Sequence, residues 1–400
     1  MKIFIPHPLD ILLGMEIYVT RSKPLKYFRV MRPRGFYVFE ISNRGYVVNE
    51  NLKLTSSKGP LTLYVLKKEG IDTLTAIRII KKILRTHKIG YAGLKDKDAI
   101  TYQLVSVDCE KPPQIIKTER IELIMIGKDY KHVRIGDLWG NKFLIITEVL
   151  DGSNVVEAIQ EVMNVGELPA FFGYQRFGTR RPITHIIGKF ILRKEWDLAL
   201  EYLLGHPYPT ETQISQKARY LFKEGSLKEA HELFVKAGLL YEAKVLKKYM
   251  ETKKSFKALQ ILPRALLRLF INAYQSYIFN KLISKLWREF GTLKQDIGGL
   301  RKINDYTLAP IPGLRFRGCR SYVCKIIKEL LHADAIDFDM FKISELHIKA
   351  LGTWRPTTMK IHNLRYELKD KELKLSFALE KGMYATVVLR EICKCDPLNL

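Results

Sequence analysis

Residues 88–103 read K-I-G-Y-A-G-L-K-D-K-D-A-I-T-Y-Q and set Gly90 and Gly93 just ahead of the alternating charges Lys95, Asp96, Lys97 and Asp98. Glycine lets a backbone turn tightly or approach a ligand closely. An acidic side chain directly after it, flanked by cations, stays ionised because neighbouring positive charge favours the carboxylate. That is the environment an aspartate nucleophile requires. The same K-D-K-D run also fits a solvated turn with weak surface ion pairs. Composition at this stretch does not separate the two.

The flanking elements frame the run. Leu74, Ile77, Ile80, Ile83 and Leu84 recur at helical spacing, which predicts an amphipathic helix over 73–85. Thr101 to Val107 alternates like a half-buried strand. Upstream, Arg29 to Ile41 predicts a basic loop turned by Pro33 and Gly35 and then a strand. On that strand Phe36, Val38 and Glu40 fall on one face, Tyr37 and Phe39 on the other. A strand over 61–67 precedes the helix.

The partner class follows from charge. The chain has 400 residues, with 67 Lys and Arg against 42 Asp and Glu, a formal net charge of +25. Such an excess favours a polyanion through steering and counterion release. Twenty Tyr and 19 Phe supply flat surfaces on which unpaired bases can stack. The basic residues run along the whole chain, as a broad nucleic-acid-binding face would require and a polybasic tail would not. Five cysteines (Cys109, Cys319, Cys324, Cys393, Cys395) make a poor disulfide framework for this length and are expected to be reduced thiols. Their spacing is not that of a zinc ribbon or knuckle, and the nine histidines show no ligand pairing, so no metal is expected. No stretch reaches the roughly 18 apolar residues of a membrane helix and no secretory signal is seen at the start. A cytoplasmic protein without a membrane association is expected.

The rest of the chain sorts by periodicity. Residues 1–23 read as an irregular lead-in. From Thr101 to Val149 the pattern is β-rich, with strands expected at 121–126, 132–135 and 142–149 and Gly127, Gly136 and Gly140 between them. A helix is expected over 154–165. Leu168 to Arg181 then packs three Phe, one Tyr, two Gly and three Arg into 14 residues. That mixture suits contacts to a splayed base and its phosphates, and equally a buried aromatic turn. Residues 183–290 read as helical, with a faint helix-turn-helix repetition around Gly225 and Gly238 and a long helix over 262–290. The segment 294–352 is mixed. Strands are expected again over 361–368, 373–379 and 384–390. Strands at both ends around a helical middle predict an α+β fold in which one domain is interrupted by an insertion.

Four stretches resemble the tRNA pseudouridine synthase D (TruD) family in its archaeal form. They are Ala92–Gln103 (A-G-L-K-D-K-D-A-I-T-Y-Q), Phe172–Gly178 (F-G-Y-Q-R-F-G), Ala273–Asn280 (A-Y-Q-S-Y-I-F-N), and Lys381–Thr386 continuing through Leu389-Arg390-Glu391. They occur in family order and span most of the chain. The opening Pro6-His7-Pro8 to Gly14-Met15-Glu16 is similar to archaeal members as well. The resemblance implies a pseudouridine synthase catalytic domain, a mixed antiparallel sheet, from residues 1–190 and 353–400. The helical and mixed insertion would occupy 191–352. It implies isomerisation of uridine, by analogy uridine 13 of tRNA, with no cofactor or metal and tRNA as partner; no protein partner is implied. The catalytic aspartate of the family falls on Asp96, which would act either as nucleophile or as base at the sugar. Phe36, Phe172 and Tyr384 are implied to line the pocket of the flipped uridine, with Lys95 and Arg390 as nearby charge. Arg176, Arg180 and Arg181 are expected to hold phosphates, and Arg29 and Arg32 are both open as the basic partner of Asp96.

Two positions depart from the family pattern. Pro-Glu-Asp-Phe becomes Pro33-Arg34-Gly35-Phe36, and Ala170 stands where an Asn is usual, so an amide is missing. A catalytically inactive RNA-binding protein or RNA chaperone on the same fold would share the composition. Asp96 discriminates, because a binding protein has no need of a carboxylate in a basic cleft. A cysteine-nucleophile enzyme is disfavoured, since no cysteine lies in the four stretches.

Overall fold

A computed structural model describes residues 4–54, 58–178, 180–293 and 296–400. Thr179, inside the aromatic segment, and Lys294, at the start of the expected mixed segment, lie outside the described residues, as do 1–3 of the lead-in. The chain forms two compact units, one from Tyr18–Leu168 with Met359–Leu400, the other from Ile5–Ile17 with Pro169–Thr358. The fold is α+β. The division falls at Leu168 rather than near 190, because helix Thr184–Leu192 packs along the long helix Arg264–Phe290. Among the described residues, no helix is long and apolar enough to cross a membrane.

The first unit is built on a ten-stranded sheet. Its central pair, Phe36–Ser42 and Ile100–Asp108, is parallel, and the other pairings are antiparallel. A parallel pair needs a crossover connection, and here it runs through strand Leu61–Glu69 and helix Thr73–Leu84. Phe36, Val38 and Glu40 sit opposite Ile145, Phe143 and Asn141 on strand Leu138–Val149, with Val38 beside Thr101 on the other side. Side chains directly opposite share a face. One face therefore carries Phe36, Glu40, Asn141, Thr101, Gln103 and, through Leu61–Glu69, Lys68. The helix covers that face with Ala76, Ile77 and Ile80 against Tyr64, Leu66, Val105 and Leu123. The other face buries Val48, Leu63, Val65, Ile100, Tyr102 and Ile126.

The amphipathic helix is found over Thr73–Leu84, but Leu74 and Ile83 are 49% and 45% exposed, so its apolar stripe is narrower than its spacing suggests. Residues 132–135 form no strand. Ser106 ties that segment by its side chain instead, its Oγ 3.0 Å from His132 Nδ1 and accepting from Val133 N–H at 2.9 Å. Gly140 lies inside Leu138–Val149, where a Cβ would come within 2.1 Å of the Leu379 carbonyl. The expected strand over 384–390 is helix Ala385–Cys393. Its β-branched Thr386, Val387 and Val388 favour strands, but every residue of the helix is buried, and packing outweighs propensity. The lead-in holds a short helix, Pro8–Leu12, started by proline and capped by His7.

The second unit is mainly helical, with helices at Thr184–Leu192, Trp196–Leu204, Gln213–Lys223, Leu227–Lys236, Leu240–Thr252 and Arg264–Phe290. Gly225 and Gly238 adopt φ of +84° and +73° at the turns between three of them, the conformation glycine tolerates. The long helix begins just after Pro263 rather than at Leu262. A three-stranded sheet, Arg301–Ile303, Tyr306–Ile311 and Thr353–Pro356, completes the unit. Cys319 and Cys324 are joined in a disulfide rather than reduced, since the turn before helix Tyr322–Ala333 brings their Cα atoms to 5.9 Å. Cys109, Cys393 and Cys395 are not joined in a disulfide.

Gly188 meets the long helix so closely that a Cβ would lie 2.1 Å from the Phe270 carbonyl oxygen. Gly188→Ala is expected to destabilise the protein by about 1–3 kcal/mol, read as a lowered midpoint in thermal unfolding followed by circular dichroism.

Candidate active site

The loop between Gly93 and Ala99 is held from beneath by buried polar side chains. Lys68, fully buried, donates from Nζ to the carbonyl oxygens of Ile71 (2.9 Å), Lys95 (3.4 Å) and Asp96 (2.6 Å). Thr73 Oγ1 accepts from the Lys95 N–H at 3.0 Å and lies 3.2 Å from Gln103 Oε1, while Gln103 Nε2 donates to the Gly93 carbonyl. The Lys95 side chain is also buried. Its Nζ donates to Asn141 Oδ1 at 2.6 Å and lies 2.9 Å from Glu40 Oε2, a Coulombic contact rather than a well-directed hydrogen bond. The other Glu40 oxygen accepts from the Leu104 N–H. Buried charges persist when paired and hydrogen-bonded in this manner.

With its backbone held, the loop leaves Asp96, Lys97 and Asp98 exposed. Arg32 donates from Nη1 to the Asp98 carbonyl at 2.8 Å and lays its guanidinium 3.9 Å from the Phe36 ring centroid. Burial lowers the Arg32 pKa, and the carboxylates of Asp96 and Asp98 work against that lowering. Burial likewise pushes Lys68 down to about 8, opposed by Asp96 and Asp72 and aided by Lys95. The cations that sense the Asp96 carboxylate are therefore Lys68 and Arg32. Of the two arginines left open in the sequence, Arg32 has this position, while Arg29 is an exposed residue paired in strand Phe28–Val30.

Phe36 is 1% exposed and packs edge-on to Phe143, so its ring belongs to the core and its face carries a guanidinium. Tyr384 is half-buried at the N-cap of helix Ala385–Cys393. Arg390 is buried, with its guanidinium 4.2 Å from the Tyr18 ring and Nη1 3.7 Å from Glu391 Oε2. Gly35 explains one departure. A Cβ there would lie 2.6 Å from the Met31 carbonyl and 2.8 Å from that of Ile146. Its neighbour Arg34 points to solvent and pairs with Glu69.

The remaining sequence candidates lie in the second unit. Phe172 is held by Asn280, which accepts from its N–H at 2.8 Å and donates to its carbonyl at 3.0 Å. The Arg355 guanidinium stands 4.0 Å from the Phe172 ring, and Phe279 meets it edge-on. Arg176 donates to Ser276 Oγ at 2.9 Å and to the Asn272 carbonyl. A cavity of about 450 Å³ beside them is lined by Phe172, Arg176, Arg268, Asn272, Gln275 and Lys349. Ala170 is buried, its N–H donating to the Thr357 carbonyl and its own carbonyl accepting from Arg355 Nε.

Arg181 is not a phosphate ligand in waiting. Its guanidinium donates to the carbonyls of Tyr202, Leu203, Gly205 and His206, closing the end of helix Trp196–Leu204, and lies 3.6 Å from Glu211. Burial lowers its pKa to about 9, with nearby Arg219 adding to the effect. Arg180 is exposed.

Sequence reasoning missed Lys68, Thr73 and Asn141 and gave Glu40 only a face. The signal was present as parity. Lys68 shares its strand face with Tyr64 and Leu66, Asn141 with Phe143 and Ile145, and Glu40 with Phe36 and Val38. A polar residue on an otherwise apolar strand face must find a buried partner.

The geometry can be set beside known proteins. The family model described as tRNA pseudouridine synthase D (TruD) matches residues 12–305 and 300–392. The chain belongs to the TruD family. That makes it an isomerase of the pseudouridine synthase class. A "Probable tRNA pseudouridine synthase D" of Sulfurisphaera tokodaii is 37% identical over 388 residues, 96% of this chain and 99% of that one. One from Methanocaldococcus jannaschii is 35% identical over 370 residues, 90% of this chain and 93% of its own. The crystal structure of a TruD protein from Methanosarcina mazei superposes with a TM-score of 0.76 at 25% identity, covering 99% of this chain and 100% of that one. Asp96, Lys95 and Phe36 of this TruD chain fall within the matched residues, as do Phe172, Arg176, Tyr384 and Arg390.

Two measurements test the supporting residues. An ammonium with a lower pKa folded than unfolded costs stability while both states are charged. That cost shrinks as pH rises from about 8 toward 10.5. The stability of the wild type relative to Lys68→Met is therefore expected to increase between pH 7 and pH 10, measured by denaturant unfolding at both. Arg181→Ala is expected to lose about 2–5 kcal/mol, because it strands buried carbonyls and Glu211. Thermal unfolding reads this loss.

Proposed function

We propose that the chain converts uridine to pseudouridine in tRNA, at uridine 13 by analogy with its family, with Asp96 as the nucleophile at the sugar. The observation that carries this reading is the contrast within the 93–99 loop: a backbone pinned by buried Lys68 and Lys95, and an exposed Asp96 carboxylate presented from it. Positioning of this kind removes the entropic cost of bringing a reactive group to its target.

The reaction breaks the bond between uracil N1 and the ribose C1′, turns the base and joins C5 to C1′; the C5 hydrogen leaves as a proton and N1 takes one up. Atoms balance without any co-reactant. Asp96 attacks C1′ as uracil leaves and is displaced when C5 attacks. Lys68 and Arg32 hold the loop on either side of the carboxylate, through the Asp96 and Asp98 carbonyls. The target uridine must leave the RNA stack at a cost of a few kcal/mol, which stacking on aromatic side chains offsets. Tyr384 is assigned this stacking in the first unit. Phe36 is buried under the Arg32 guanidinium, a smaller role than the family resemblance suggests.

The first unit serves as the catalytic domain and the second as the insertion. Phe172 and Arg176 are assigned to RNA contact within the second unit, where the long helix holds both. Arg390 acts by fixing the terminal helix against Tyr18. The net charge of +25 supports a polyanionic substrate.

Tritium release from [5-³H]uridine-labelled tRNA transcript tests the reading, since the C5 hydrogen leaves only when the new bond forms. Wild type is expected to release tritium, and Asp96→Asn to release it about a thousand-fold more slowly or worse, while binding the transcript equally well. Replacing uridine 13 by cytidine should abolish release. Tight binding by both proteins with release from neither would leave an RNA-binding protein.

A further inference from the structure

The face of the sheet opposite the Asp96 loop carries a recess that the proposed chemistry does not use. Lys142 pairs with Phe39 and Ala378, and Arg365 pairs with Ser376, which places these side chains on the face away from Glu40 and Asn141. The recess has a volume of about 660 Å³ and is lined by Ser42, Asn43, Trp139, Lys142, His362, Arg365 and Ala378. That size suits a nucleotide-sized ligand.

Two irregularities of the sheet meet here. The pairing of Phe36–Ser42 with Leu138–Val149 passes from Ile41 opposite Gly140 to Ser42 opposite Leu138, so Trp139 is an extra residue on its strand. The pairing of His362–Lys369 with Glu372–Glu380 passes from His362 opposite Ala378 to Arg365 opposite Ser376, again with one extra residue, and Asn363 adopts φ of +53°. β-Bulges re-aim side chains and interrupt pairing. These two bring the Trp139 and His362 rings together, centroids 5.1 Å apart and steeply inclined. His362 Nε2 lies 3.5 Å from Glu380 Oε1 at the same end. Among the described residues Lys142 and Arg365 have no ion-pair partner, and the Trp139 indole N–H donates to no protein group.

We propose that this recess binds an unpaired nucleotide of the RNA substrate at a position other than the target uridine. The base stacks on the Trp139 ring, which His362 meets edge-on, Asn43 offers hydrogen bonds to its edge, and Lys142 and Arg365 take the flanking phosphates. Two unpaired cations on either side of an aromatic recess complement a polyanion carrying a flat base. The assignment rests on the reading that the substrate is RNA, and it places part of the affinity outside the catalytic face.

The test uses the full chain and a fluorescein-labelled tRNA transcript. Trp139→Ala and the double variant Lys142→Ala with Arg365→Ala are compared with wild type by fluorescence anisotropy across a salt series and by tritium release. Each variant is expected to weaken binding five-fold or more. For the double variant the slope of log affinity against log salt should fall by about 1.5, two released counterions. KM should rise while kcat stays within two-fold, and Trp139→Phe should recover most of the affinity. Wild-type affinity and salt slope in the double variant, whose two side chains are exposed, would overturn the proposal whatever Trp139→Ala does to folding. Tritium release by the wild type with unchanged variants defeats the recess alone. Weakened binding by the variants with no release from any protein leaves the recess standing and defeats the catalytic reading.

Discussion

Removing an ammonium group from water costs several kcal/mol unless oxygen ligands replace its hydration. Lys68 and Lys95 both meet this constraint beside one loop. Lys68 finds three backbone carbonyls, and Lys95 finds the Asn141 amide and the Glu40 carboxylate. None of these ligands can shift without stranding a buried charge. The path of residues 93–96 is thereby set, and with it the place where the Asp96 carboxylate leaves the protein. The ligands come from two strands of the sheet, the turn at Ile71 and the loop itself. Strand register is therefore as important to the site as the residues that bear charge.

That register also divides the sheet's labour. The face holding Glu40, Asn141, Lys68 and Gln103 is closed by helix Thr73–Leu84 and supports the loop. On the opposite face two extra residues disturb the ladder where Trp139 and His362 meet. A one-residue change of register exchanges the faces of a strand. Both bulges fall toward one end of their pairings, so the central strands keep the alternation on which the Asp96 loop depends.

In the second unit, side-chain amides and guanidinium groups do the work that regular hydrogen bonding cannot do in a loop. Asn280 satisfies both backbone groups of Phe172, Ser276 and the Asn272 carbonyl hold Arg176, and Arg181 closes the end of helix Trp196–Leu204. The polar residues of A-Y-Q-S-Y-I-F-N are thus largely internal fittings. Ser276 and Asn280 follow the four-residue spacing that aligns side chains along one helix face. Gln275 is used in the same manner, donating to the Pro312 carbonyl.

The sequence by itself determined the α+β class, the helix ahead of the Asp96 loop, the strand faces around Phe36 and Glu40, and the long helix. These follow from periodicity, which is a local property of side-chain spacing. The family was legible because the motif residues are contiguous. Only the tertiary structure decided which cations attend Asp96, since Lys68 and Arg32 reach it through strand pairing and a loop remote in sequence. It alone made Arg181 a buried strut, turned 385–393 into a helix through burial on every side, and joined Cys319 to Cys324. It also showed that the Phe36 ring is taken up by Phe143 and Arg32. In each case the deciding energy is a contact between distant residues, and spacing along the chain carries no record of it.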